Sequence, residues 1–275
     1  MNAHELALTA NSIRQDVIKA LVEAKSGHSA GPLGLADVVT ALYFEIADID
    51  PKYPWKETRD RIVLSCGHYC PVLYSALAHR GYFPVSELLT LRKLNSRLQG
   101  HPHLRCVPGV ENTGGPLGQG VSLALGMALA LKLKGNPAYV FCLSSDGEQQ
   151  EGEVWEAYNM AAKYKVDNLT YIVDYNHIQI DGPIEEVMPL EPLVDKYRAF
   201  NLNVMETDGN NMAEVVKTLR KAKEHKGTPT MIVAHTTPGK GVSFMEKDYR
   251  WHGKPPNVEE AARALQELEA AREKI

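Results

Sequence analysis

Long apolar runs are missing from this chain of 275 residues. No stretch approaches the roughly 20 apolar residues that a bilayer-spanning helix needs. Residues 1–14 hold no cationic segment followed by an apolar core and a small-residue cleavage site, so neither a membrane span nor a secretory leader is expected. Cysteine is scarce as well. Cys66, Cys70, Cys106 and Cys142 give one Cys-x3-Cys pair and no second to match it. A disulfide framework is thereby excluded, and zinc held by Cys66, Cys70 and His68 lacks a fourth ligand placed by spacing. The expectation is a reduced, cytoplasmic protein whose thiols are mostly buried. Blocks of one charge are absent too: 30 Lys and Arg stand against 34 Asp and Glu, for a net charge of −4 and a pI near 6.2. Such a surface is not built to neutralise nucleic acid or an anionic membrane. No Gly-x-Gly-x-x-Gly opens a helix after the first predicted strand, which removes the usual dinucleotide fingerprint.

What remains is an ordinary globular composition, 44% hydrophobic and 23% charged, without repeats or low-complexity tracts. Hydrophobic periodicity predicts helices over residues 5–25, 35–44, 73–78, 84–92, 117–133, 153–165, 211–224 and 258–274, with a short one opening at residue 190. Short β-prone runs predict strands over 61–65, 139–143, 169–173, 203–206 and 230–234. Residues 27–34 are too rich in glycine and proline to be read as helical. The helix over 117–133 is apolar nearly all round, which implies burial on more than one side, against a partner subunit for instance. Alternating strands and helices predict one α/β domain over residues 1–275, a doubly wound, mostly parallel sheet with helices on both faces.

Asp146 and Asn176 lie thirty positions apart, about the length of one strand–helix–strand unit, and each follows a predicted strand. A right-handed crossover sets the strands side by side and brings the carboxylate and the amide oxygen to one edge. Hard oxygen ligands of that kind suit Mg²⁺, which fills its other positions with water and phosphate oxygens. Gly147 lets a backbone N–H approach a phosphate at a turn leading into a helix. Four histidines stand beside glycine in loops: His28, His68, His101 and His252. Singly each reads as a surface or capping imidazole; His68 follows a predicted strand, and the other three lie in loops able to reach the same edge.

Asp146-Gly147 with Asn176 resembles the thiamine diphosphate signature that begins Gly-Asp-Gly and ends in Asn, with Ser145 in place of the first glycine. The runs 146–152 and 176–182, and the order of Ser26-Gly27-His28, Ser65-Cys66-Gly67-His68, Gly100-His101-Pro102 and His252-Gly253, are similar to transketolases. The resemblance covers nearly all of the chain, and only the pyrophosphate-binding third of a transketolase.

That resemblance implies thiamine diphosphate and Mg²⁺, for which Ca²⁺ can substitute. It makes Asp146, Asn176 and the Ile178 carbonyl the metal ligands. It puts His68 and His252 against the diphosphate, together with Gly147, and Gly115 and Leu117 against the aminopyrimidine. His28, His101 and His252 become contacts of the ketose hydroxyls. Glu151 is matched to the carboxylate that meets an activating glutamate across a subunit interface. In the family that glutamate sits on a separate pyrimidine-binding domain. The expectation is therefore the N-terminal subunit of a split transketolase, active only with a C-terminal partner in an α2β2 heterotetramer, moving a two-carbon ketol unit between sugar phosphates of the pentose phosphate type. Another thiamine-dependent enzyme acting on a different pentulose phosphate, and a catalytically silent cofactor-binding module, stand as alternatives. Replacing Asp146 by Ala is expected to abolish metal-dependent cofactor binding and leave the fold intact.

Overall fold

The computed structural model describes residues 1–275. The β-prone runs become β1 (Arg61–Leu64), β2 (Val140–Ser145), β3 (Leu169–Tyr175), β6 (Asn203–Asp208) and β7 (Thr230–His235), all parallel in the order β1-β2-β3-β7-β6. A separate two-stranded antiparallel ribbon, β4 (Ile178–Gln179) and β5 (Gly182–Pro183), follows β3 and leads into a single helical turn, α7 (Ile184–Val187). The central strands read as unbroken apolar runs because both faces are covered. Along β2, Phe141 and Leu143 enter one core while Val140 and Cys142 enter the other.

The larger core of 52 buried residues lies under α1 (Ala3–Ala24), α3 (Ala36–Ala41), α4 (Cys70–Arg80), α9 (Met212–Glu224) and α10 (Val258–Arg272). The second, of 25, lies under α5 (Gln119–Leu133), α6 (Gly152–Lys163) and α8 (Leu193–Ala199). The crossovers through α6 and through α9 progress across the sheet in opposite senses and carry their helices on opposite faces, as right-handed connections require. The carboxyl ends of β2, β3 and β7 thus border a crevice, the place where open α/β sheets hold ligands.

Several sequence expectations are corrected. The segment read as a loop contains a short buried helix, α2 (Ala30–Gly34), running on into α3 and a π turn at Leu42–Ile46. Pro32 falls in the first turn of α2, where its missing N–H is no loss. Gly31 is required there, because a Cβ at that position would stand 2.1 Å from the Tyr69 ring. The helix predicted over 84–92 is 3₁₀ turns at Val85–Thr90, and α8 starts at Leu193 rather than Leu190. Within this chain the apolar helix α5 packs through Val121, Ala124, Leu125, Ala128 and Leu131, while Leu123 is 45% and Leu133 87% exposed. One apolar face of it is open in this chain. No helix is long and apolar enough to cross a membrane.

Candidate active site

Three buried carboxylates organise the edge of the sheet. Asp146 directly follows β2 and accepts backbone N–H bonds from Gly147 (2.8 Å), Asn176 (2.9 Å) and His177 (2.7 Å), so it gathers the chain leaving β3 around itself. Glu148 accepts from the Ser65 hydroxyl at 2.6 Å, the Gly118 N–H at 2.8 Å and the Ser145 N–H at 2.9 Å. It ties the ends of β1 and β2 to the start of α5. Asp174 accepts from the Tyr69 hydroxyl (2.8 Å), from the Asn176 amide (2.6 Å) and from the Thr236 hydroxyl. None of the three is hydrogen-bonded to a lysine, arginine or histidine side chain.

Burial pushes all three carboxyls upward: Asp174 to about 6, Asp146 well above the usual carboxylate range with Asp174 as a second cause, and Glu148 upward despite its stabilising hydrogen bonds. A floor of desolvated carboxylates without a cation is strongly unfavourable unless a cation joins it. The site therefore fits a divalent metal. Hydrogen bonding fixes how Asn176 would present itself. Its amide NH₂ donates to Asp174 and, at 2.9 Å, to the Tyr69 hydroxyl, which leaves its oxygen turned toward the Ile178 N–H at 3.1 Å. An acceptor-only carboxylate permits no other orientation of the amide.

Above this floor lies a cleft of about 420 Å³, within the range of small-molecule sites. Its walls include His28, His68, His101, His252, Gly115, Leu117, Asp146, Gly147, Glu151 and Ile178. A Cβ at Gly147 would meet nothing closer than Gln179 at 3.7 Å, so the space over its backbone is open to a ligand. Of the candidate residues drawn from the sequence, Asn176 alone does not line the cleft; it is buried beneath it, beside Asp146. Glu151 stands at the N-cap of α6 without capping it. His101 is exposed at the rim.

His28, His68 and His252 pack into one cluster, with ring centroids 4.8 Å (His28–His68), 5.6 Å (His28–His252) and 5.4 Å (His68–His252) apart. Nδ1 of His28, Nε2 of His68 and Nδ1 of His252 are buried without a partner. Three orphaned ring nitrogens converging on one cleft is the pattern of a site that awaits a polar ligand. Burial holds His28 and His252 down to about 4 and His68 well below the ordinary imidazole range, so the cluster is neutral at physiological pH.

A pH dependence follows. Between about 6.5 and about 4 the unfolded chain binds protons at His28 and His252 that the folded chain refuses, so their contribution to stability is complete above 6.5 and declines as pH falls toward 4. Imidazole NMR titration of the free chain should give midpoints near 4 for both rings; midpoints near the ordinary 6.5 would show that the cluster is solvated.

Sequence reasoning missed Glu148, Asp174 and Tyr69. Glu148 sits inside the motif but carried no assignable chemistry, and Asp174 lies within a strand whose apolar neighbours conceal it. Zinc at Cys66, Cys70 and His68 finds no support: the Cys66 thiol faces the Leu143 carbonyl at 3.9 Å and the Cys70 thiol the Gly100 carbonyl at 3.1 Å. No three His, Cys, Asp or Glu side chains converge to hold a metal by themselves, so a cation at Asp146 would need amide and backbone oxygens to complete its shell.

The family model described as transketolase, thiamine diphosphate binding domain, matches residues 6–273. A 6-deoxy-6-sulfo-D-fructose transketolase subunit, SqwG, of Clostridium sp. (strain MSTE9) is 42% identical over 96% of this chain and 96% of its own length. An apulose-4-phosphate transketolase subunit of Phocaeicola vulgatus is 38% identical over 100% of this chain and 98% of its own. The crystal structure of transketolase from Campylobacter jejuni superposes with a TM-score of 0.89 at 33% identity, covering 98% of this chain and 43% of that one. The rat transketolase is likewise matched over 41% of its length. On these grounds, and on a sheet of the transketolase cofactor-binding kind, the chain belongs to the transketolase family as an N-terminal, thiamine diphosphate-binding subunit.

Proposed function

We propose that this chain binds Mg²⁺–thiamine diphosphate and, with a separately encoded C-terminal subunit, transfers a two-carbon ketol unit from a ketose phosphate to an aldose phosphate. The observation that carries the reading is the pairing of a cation-free carboxylate floor with a cleft of neutral, partnerless imidazoles. Asp146, the Asn176 amide oxygen and the Ile178 carbonyl would hold the metal. The open space over Gly147, with His68 and His252, would receive the diphosphate, whose charge favours donor N–H groups on both rings. Gly115, held at φ 133° with open space before it, and Leu117 would support the aminopyrimidine. The bound cofactor supplies the electron sink for breaking and making the carbon–carbon bond. The protein's own part is to orient the sugar through His28, His101 and His252, to move protons at those ring nitrogens and to keep water out.

Glu151, exposed on the wall of the cleft, would meet a partner's activating glutamate. The open apolar face of α5 supports a partner as well, since a large exposed apolar strip on a globular chain marks an interface. A two-fold α2β2 assembly accords with the closed symmetry usual among soluble oligomers, and a reduced, cytoplasmic setting accords with four free cysteines. Ca²⁺ would serve in place of Mg²⁺.

Ketol transfer from xylulose 5-phosphate to ribose 5-phosphate should be absent with this chain alone and present when its C-terminal partner is added with Mg²⁺ and thiamine diphosphate. Equal activity of the single chain would refute the split. A second reading concerns the sugar. The relatives at 42% and 38% identity are named for 6-deoxy-6-sulfofructose and apulose 4-phosphate, so those ketoses belong in the same assay. Cofactor binding with no turnover on any of them would instead indicate a silent cofactor-binding module.

A further inference from the structure

Two of the four glycine–histidine pairs have a common neighbour that the cofactor reading does not use. Arg92 donates from Nη1 to the Ser26 hydroxyl at 3.2 Å and from Nη2 to the Gly100 carbonyl at 3.2 Å. Its guanidinium thus spans the loop leading to His28 and the loop leading to His101. Gly100 makes room for it, since a Cβ there would stand 2.4 Å from Arg92 Cζ; at Gly27 a Cβ would merely touch Nε at 3.6 Å and would clash instead with Leu21 Cδ2 at 2.6 Å. Gly27 itself holds φ 126°, which a side chain rarely adopts.

The arginine is held at some cost. Its backbone lies at φ 59°, in the left-handed region, tied by its N–H to the Leu98 carbonyl at 2.9 Å. Its Nε is buried with no acceptor, and its side-chain bonds go to neutral oxygens rather than to a carboxylate. A strained, under-satisfied cation that bridges two loops persists where the bridge matters. The Gly100 carbonyl is further fixed by the Cys70 thiol, so the clamp is anchored to the start of α4.

We infer that Arg92 is a positioning residue, whose guanidinium fork sets the spacing between His28 and His101 across the mouth of the cleft. This clamp rests on the functional reading only for what the two histidines bind. Planarity matters here as much as charge: a guanidinium reaches two separated acceptors from two nitrogens in fixed directions, whereas the donors of a lysine ammonium radiate from a single rotatable nitrogen. Arg92 lies outside the walls of the cleft, so it acts through the histidines and not on the ligand.

The test has two independent arms. In the full chain without partner, histidine ring NMR of Arg92→Met should show displaced signals for both His28 and His101 and an unchanged one for His79, which pairs with Asp16 on the far end of α4. A shift of only one of the two rings, or of neither, overturns the clamp. In the assembled enzyme, Arg92→Met should raise the KM of the ketose donor about tenfold with kcat within about threefold and thiamine diphosphate affinity within about twofold, a split that general destabilisation does not produce. Arg92→Lys should stay impaired; wild-type kinetics for it would sink the inference. Gly100→Ala drives a methyl into the guanidinium and should reproduce the defect, and the double variant should be no worse than the worse single, because both break one device. Additive losses would refute that. Absence of ketol transfer in the assembled wild type would overturn the functional reading and leave the NMR arm standing.

Discussion

Asp146→Asn is expected to weaken Mg²⁺-dependent thiamine diphosphate binding at least about a hundredfold, because it removes the one charged oxygen ligand the proposed metal site has. Thermal stability should also fall, by the cost of one unmet N–H, about 1–3 kcal/mol: the asparagine oxygen can still accept from the Asn176 and His177 N–H groups, but its NH₂ then faces the Gly147 N–H. Asp146→Ala is a different experiment. It strips the acceptor from three backbone N–H groups at once, each of which costs about 1–3 kcal/mol when left unsatisfied. The sequence-based view of that variant as fold-neutral is therefore wrong in its premise: the residue is a structural keystone as well as a candidate ligand. Calorimetric titration of both variants with cofactor and Mg²⁺ checks the pair. Asparagine binding the cofactor within about threefold of wild type would remove Asp146 from the metal.

Glu148→Gln should be among the most destabilising single-atom changes available to this chain, roughly 2–4 kcal/mol in denaturant unfolding. One carboxylate oxygen takes the Ser65 hydroxyl and the Gly118 N–H, and the other takes the Ser145 N–H. Whichever way a glutamine is turned, its NH₂ faces a donor. An acceptor-only group is required, and only a carboxylate is acceptor-only on both atoms. The strands and the helix that Glu148 joins form the back of the cleft, so cofactor affinity should fall along with stability. Denaturation at the wild-type midpoint would show that the three bonds are dispensable.

The parts of this protein that were legible before folding are those whose signal is local. The strands at 140–145 and 169–175 are short β-branched and aromatic runs between helices, and their crossover fixed the spacing of Asp146 and Asn176. The histidines were legible because each stands in a glycine loop, where an imidazole has little packing work to do. Residues whose role depends on contacts distant in the chain were not. Tyr69 is one, since its hydroxyl meets Asp174 and Asn176 more than a hundred positions away. Asp174 is another, a charge inside a strand that only the folded sheet places beside a candidate metal ligand. The helix at 30–34 escaped for a related reason: its glycines look like breakers until the Tyr69 ring is seen to occupy the space a side chain would fill. Apolarity around α5 signals burial, yet Leu123 and Leu133 are exposed in this chain.

The contact between Gly31 and Tyr69 has an evolutionary consequence. With a Cβ at position 31 falling 2.1 Å from the phenol, neither position can drift alone: a side chain at 31 evicts the ring, and losing the ring opens a hole beside α2. The phenol in turn orients Asn176. The helix that follows the His28 loop and the buried floor around Asp174 and Asn176 are thereby tied together, so a lineage can vary the loops that line the cleft more freely than positions 31 and 69.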